Sequence, residues 1–179
     1  FLNLAFAALS LGLGANPVYA QLDRVYTNDS TTASTGTVLE ITKNGLKLKV
    51  GANTKTFSED EIRKVLFQGD PPGLTKAREF AIDGQYEKAL DELKAVDIEK
   101  LGRDVIKADA AYYRLLSRAS LALAGQGDRK AAITEAISFA TKHRDSFHVF
   151  SVAKLLGDLA LASKSREKAI EYYGFLANA

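Results

Sequence analysis

The sequence predicts an α+β protein, a small N-terminal β-barrel followed by an all-α solenoid of helical hairpins. Three observations carry that expectation. Short runs rich in Val, Thr, Ile and Leu fill residues 23–67, separated by Gly, Asn and Ser. From residue 74 onward apolar residues recur at three and four instead. Between the two patterns lies Gln68-Gly69-Asp70-Pro71-Pro72-Gly73, which can continue neither a ladder nor a helix. The parts so marked are residues 1–20, 21–69 and 70–179.

A chain with 46% hydrophobic and 26% charged residues can bury a core. The 24 basic and 22 acidic residues nearly cancel and are spread over both halves, which leaves no electrostatic footprint for nucleic acid or acidic lipid. The chain has no Cys, which excludes disulfides, thiol catalysis and thiolate metal sites together. It also has no Met, not even at position 1, so the sequence is expected to begin inside its reading frame.

Residues 1–14 are nearly all apolar and uncharged, and Val18-Tyr19-Ala20 follows a helix-breaking Pro17. Small residues at the last and third-last places suit the cleft of a signal peptidase, so residues 1–20 read as a signal peptide lacking its basic start, cleaved after Ala20. About 20 apolar residues are needed to span a bilayer, and this run falls short. The expected product is exported, to the periplasm or envelope of a bacterium, with no membrane span after cleavage.

Candidate strands are 23–27, 35–43, 46–50, 54–57 and 63–67. Asn44-Gly45 suggests a type I′ hairpin turn, since both residues tolerate positive φ, and Leu46, Leu48 and Val50 then share a face. Ser58-Glu59-Asp60-Glu61 reads as a capping box that starts a single helical turn. Five short strands with a one-turn helix before the last, together with the run Gly36-Thr37-Val38-Leu39-Glu40-Ile41, resemble the small SH3-like or Sm-like barrels. That resemblance implies either a cap on the helical array or a module that binds peptide or cell-wall material.

Helices are expected over 74–83, 86–96, 104–124, 129–142, 146–162 and 166–177. Gly84 can end the first by taking positive φ, and Tyr86 and Ala89 start the second. Ala89 and Ala77 provide the small side chains that a close helix crossing needs. The grammar of Gly84-Gln85-Tyr86-Glu87-Lys88-Ala89-Leu90 returns at Gly127-Asp128-Arg129-Lys130-Ala131-Ala132-Ile133 and at Lys164-Ser165-Arg166-Glu167-Lys168-Ala169-Ile170. The crossing alanines Ala89, Ala132 and Ala169 are spaced a little above the roughly 34-residue period of tetratricopeptide arrays. These units, with Leu156-Gly157 and Ala160, resemble tetratricopeptide repeats from about residue 74 to the end. The departures are Arg129 where the first unit has Tyr86, and the lack of any Trp.

The residues point away from catalysis. His143 and His148 lie five apart, off the spacing of a helical metal pair, and read as surface or capping residues. Glu59, Asp60 and Glu61 favour a helix dipole. Gly125-Gln126-Gly127 follows a helix, and no Gly-Lys-Ser/Thr sequence occurs, so no phosphate loop is expected. No cofactor or metal is expected. The tetratricopeptide resemblance implies a groove along the first helix of each hairpin, and by matching it includes Arg78, Arg114, Ser117, Lys154 and Asp158. A peptide with acidic side chains or a free carboxylate could use its cations. The expected function is a non-catalytic protein-interaction scaffold. The alternative is a glycan-binding protein acting through the β module, which would need an aromatic cluster from Tyr26, Phe57 and Phe67. The last helix, carrying Ile170, Tyr173 and Leu176, is expected to meet further repeats, a partner or a second copy.

Overall fold

The computed structural model describes residues 22–177, so the signal-peptide reading of residues 1–20 lies outside the described residues. Five antiparallel strands come first: β1 (Asp23–Thr27), β2 (Ser34–Thr42), β3 (Gly45–Val50), β4 (Asn53–Ser58) and β5 (Ile62–Leu66). They form one sheet in the order β4-β3-β2-β1-β5. The sheet is open, and the closed barrel expected from the strand rhythm is not what forms. Closure would pair β4 with β5, but β5 pairs with β1 and lies at the opposite edge. The physical reason lies in β4, where Asn53, Thr54, Lys55 and Thr56 are all exposed and only Phe57 is buried. Such a strand has no apolar row to bury by curling inward. The apolar face made by Val25, Leu46, Leu48, Phe57 and Val65 is instead part of one core with the helices.

Two local expectations change in detail. Thr42 pairs with Gly45, so the β2–β3 turn is Lys43-Asn44, and neither of these has positive φ. The turn is therefore not type I′. Gly45 carries the positive φ, 138°, and a Cβ on it would stand 2.0 Å from the Phe57 carbonyl oxygen. The capping box forms by half: Glu61 Oε2 accepts the Ser58 N–H at 2.9 Å, but the chain makes only a turn before β5.

Six helices follow, α1 (Pro72–Ile82), α2 (Tyr86–Leu93), α3 (Asp104–Leu123), α4 (Arg129–Lys142), α5 (Val149–Ala162) and α6 (Arg166–Ala177), with a short 3-10 turn at Ile98–Lys100. Proline sits at the start of α1, where its missing N–H costs nothing. Gly84 takes φ 73° between α1 and α2. Asp128 caps α4 by accepting the Lys130 and Ala131 N–H groups. Residues 146–148 turn before α5 instead of starting it, with the Val149 N–H bonded to the Ser146 carbonyl. Helices pack in consecutive pairs, α1 on α2, α3 on α4 and α5 on α6. The odd-numbered helices also touch one another in order, and α2 and α4 lean on the next odd helix. Ala77, Ala89, Ala132 and Ala169 are all buried at these contacts.

The sheet is tied to the odd-numbered helices. Asp23 in β1 accepts the Val38 and Gln68 N–H groups and the Arg103 guanidinium just before α3. Lys64 in β5 pairs with Glu79 in α1, Ile41 faces the starts of α3 and α5, and Lys43 lies over the Phe150 ring. Among the described residues no helix is long and apolar enough to cross a membrane. The crossing of α1 with α2 gives the first test. Ala89 has no exposed surface, so Ala89→Leu is expected to lower stability by about 1–3 kcal/mol through overpacking, read by urea denaturation.

Candidate functional site

The most concentrated chemistry in the molecule is a buried charge network built by the first helices of the three pairs. On α1, Leu74, Ala77, Arg78 and Ala81 face inward at three and four. On α3, Ile106, Asp109, Ala110, Tyr113 and Ser117 do the same. One arginine and one aspartate thus occupy core positions and meet: Arg78 Nε and Nη2 donate to Asp109 Oδ2 at 3.0 and 2.5 Å. Arg78 Nη2 also lies 3.0 Å from Asp70 Oδ2. His148, at the N-cap of α5, places Nε2 2.9 Å from Asp109 Oδ1. Its ring stacks on Tyr112 with centroids 3.7 Å apart, and Tyr113 meets it edge-on.

The electrostatics follow from this geometry. Burial alone would raise Asp109, but the Arg78 charge and the His148 bond more than offset it, and Asp109 is held below the usual carboxylate range. An ionised carboxylate only accepts, so His148 Nε2 carries the proton in this bond. Burial lowers the His148 pKa, with Arg78 adding to the effect, and the imidazole is neutral at pH 7. Burial also pushes Tyr112 up to about 12 and Tyr113 well above its ordinary value. Asp70 rises to about 6, because burial and the Asp109 charge outweigh Arg78 and the Phe67 N–H. A cavity of about 360 Å³ opens beside Asp109, Ser146 and His148, with Lys142 and Arg144 among its lining residues.

Most of the expected groove is taken up by internal bonds. Arg78 and Ser117 are fully buried, and the Ser117 hydroxyl donates to the Tyr113 carbonyl, so neither presents a surface to a peptide. Arg114 and Arg118 share Glu135 and join α3 to α4. Lys154 pairs with Asp158 at 2.8 Å, and Asp158 also accepts the Tyr173 hydroxyl, which joins α5 to α6. That bond pushes the Tyr173 phenol up to about 12. His148 is a correction: it stands at the N-cap position of α5 but makes no side-chain cap bond, and its ring is buried in the network and not on the surface. His143, half-buried at the end of α4, is lowered by burial and by Lys142.

An apolar groove lies elsewhere, across α4, α5 and α6. It measures about 780 Å³ and is lined by Ile137, Ala140, Val149, Ala153, Leu156 and Phe175, with Lys43, Arg144, Asp145 and Glu171 at its rim. Ile137 and Phe175 are each 45% exposed. On the sheet, Phe57 and Phe67 are buried and Tyr26 lies under Lys64, so no exposed aromatic cluster forms there. Among the described residues no three His, Cys, Asp or Glu side chains converge to hold a metal ion. Known protein families, curated proteins and solved structures were compared with the chain, and none matched.

Removing Arg78 leaves Asp109 buried without its main partner. Arg78→Ala is expected to cost about 3–5 kcal/mol in urea denaturation at pH 7. Lys154→Ala, which removes an exposed pair, is expected to cost at most about 1 kcal/mol. The network also sets a pH dependence. Because the folded His148 pKa lies below its unfolded value of 6.5, the unfolded chain binds more protons in the window beneath 6.5. Stability from this group is complete above pH 6.5 and is lost as pH falls through the lowered folded value. His148→Gln is expected to show a shallower loss of Tm below pH 6.5 than the parent protein.

Proposed function

We infer that this chain is a non-catalytic scaffold for protein interaction, exported to a bacterial envelope, with its helices arranged as tetratricopeptide-like hairpins. The order of helix packing supports the repeat reading, as does the close seam of α5 with α6. A Cβ on Gly157 would lie 2.3 Å from the Tyr173 ring, so the Leu156-Gly157 pair supplies the small residue that this seam needs. The envelope location rests on the signal-like sequence of residues 1–20.

The observation that carries the function is the apolar groove over α4, α5 and α6. A chain that leaves Ile137 and Phe175 half in water beside a concave apolar floor has a surface suited to a partner. Charges of both signs at the rim fit an amphipathic protein segment, with its apolar side on Val149, Ala153 and Leu156 and its charged flanks on Lys43, Arg144, Asp145 and Glu171. The groove is thus displaced from the inner helix faces expected by matching, where Arg78 and Ser117 are sealed. The serines near the buried network are also engaged: Ser146 Oγ accepts the His148 N–H, and Ser117 bonds to backbone.

The test is capture from envelope extract by the chain from Gln21 onward, compared with Ile137→Asp and Phe175→Asp. The reading expects one set of protein partners, reduced at least about tenfold by each substitution while Tm stays within a few degrees of the parent. Equal capture by all three proteins would place the interaction away from this groove. Retention of cell-wall glycan alone would favour the β module.

A further inference from the structure

The segment that leaves the sheet, residues 68–73, is pinned at one carboxyl group. Asp70 Oδ2 accepts the Phe67 N–H at 2.9 Å and faces Arg78 Nη2, and the side chain is only 6% exposed. The other oxygen, Oδ1, is buried and meets no donor, and Arg78 Nη1 is buried and meets no acceptor. A buried carboxylate oxygen without a donor is costly, whereas the neutral acid carries far less charge to desolvate. One guanidinium also serves two carboxylates here, and Asp109 holds it through two bonds. Carboxylates that share one cation in a dry space do not ionise alike. Asp70 is the weaker claimant, and its ionisation is accordingly postponed to about pH 6.

We propose that Asp70 is a proton-operated latch on the segment joining the sheet to the helices. As the neutral acid it stays in the core and holds the segment closed; as the carboxylate it withdraws toward solvent and frees it. A place for the carboxylate exists. Asp70 borders a cleft of about 710 Å³ whose lining includes Arg24 of β1 and Lys76 of α1. The charged and titratable groups around Asp70 are Arg78 and Lys76 from α1, Asp109 and Tyr113 from α3, Arg24 from β1, and His148 from α5 acting through Asp109. Asp23 and Arg103 hold the neighbouring Gln68 and fix the near end of the segment.

The sign follows from linkage. In the closed state Asp70 titrates at about 6, and in an open state it would titrate at its ordinary 3.8. Between these values the open form is ionised and the closed form is not, so opening grows about tenfold per pH unit. Above about pH 6 both forms are ionised and the gain levels off at about a hundredfold. The segment is therefore locked in acid and loosened at neutral pH. Protonation of His148 acts in the opposite direction, but it acts on the start of α5.

The test is hydrogen exchange at the Phe67 and Asp70 amides from pH 4 to 7, corrected for intrinsic rates, in the parent protein and in Asp70→Asn. Their protection is expected to fall about a hundredfold over this range in the parent and to stay level in the variant. The carboxyl carbon of Asp70, followed by NMR in the parent alone, is expected to titrate near 6 and keeps the test independent of how the variant folds. A carboxyl that titrates near 4, or protection in the parent that does not change with pH, overturns the latch.

Discussion

The buried ion pair between Arg78 and Asp109 is the constraint on which the arrangement of the other elements depends. Neither charge has solvent to fall back on, so α1 must lie on α3 in the one register that brings guanidinium and carboxylate within 3 Å. A slip by one residue on either helix would turn the partner away and leave an unpaired charge in the core, which is far more unfavourable than a lost apolar contact. Asp109 then fixes α5 as well, because its second oxygen receives His148 at the start of that helix. Three helices from three consecutive pairs are thereby referenced to one carboxylate, and the aromatic rings of Tyr112, Tyr113 and Phe147 seal it.

The sheet follows from the same geometry. Its inner residues have no facing strands of their own, since β4 is polar except for Phe57 and stays at the edge. Their cover is the helical layer, reached through Phe67, Leu74 and Ile106, which belong to the same core. This placement also explains why the inner helix faces present no open groove at Arg78 and Ser117. Where a free array would offer a groove, this chain has an ion pair and a sheet, and the apolar surface left open is on α4 to α6.

The helices were legible because their signals are local. Gly84, Pro72 and Asp128 each act within a turn of the residues they organise, and α4 and α6 begin and end where their periodicity does. The β-strands were legible for a similar reason, but the closure of the sheet was not. Closure depends on which surface covers the apolar row, and part of that surface comes from residues more than 40 positions away in the chain, such as Ile106. The buried network is not what the repeat resemblance implies, because that match sets Arg78 in an open groove and does not involve Asp109. Asp109 stands three residues after Ile106 and four before Tyr113, on the inward stripe of α3, and that register was the available signal. His148 gave no such sign, since its burial comes from stacking on Tyr112 across two helices.

The carboxylate of Asp23 carries a consequence for the order of events during synthesis. It lies in the first strand, yet the guanidinium that neutralises it belongs to Arg103, 80 residues later. Until that arginine has been made, β1 can pair with its neighbours but keeps an unmatched negative charge on the side that turns toward the helices. A chain that ends before Arg103 therefore lacks the cation that ties β1 to the segment just before α3, and keeps only the Val38 and Gln68 N–H groups on that carboxylate.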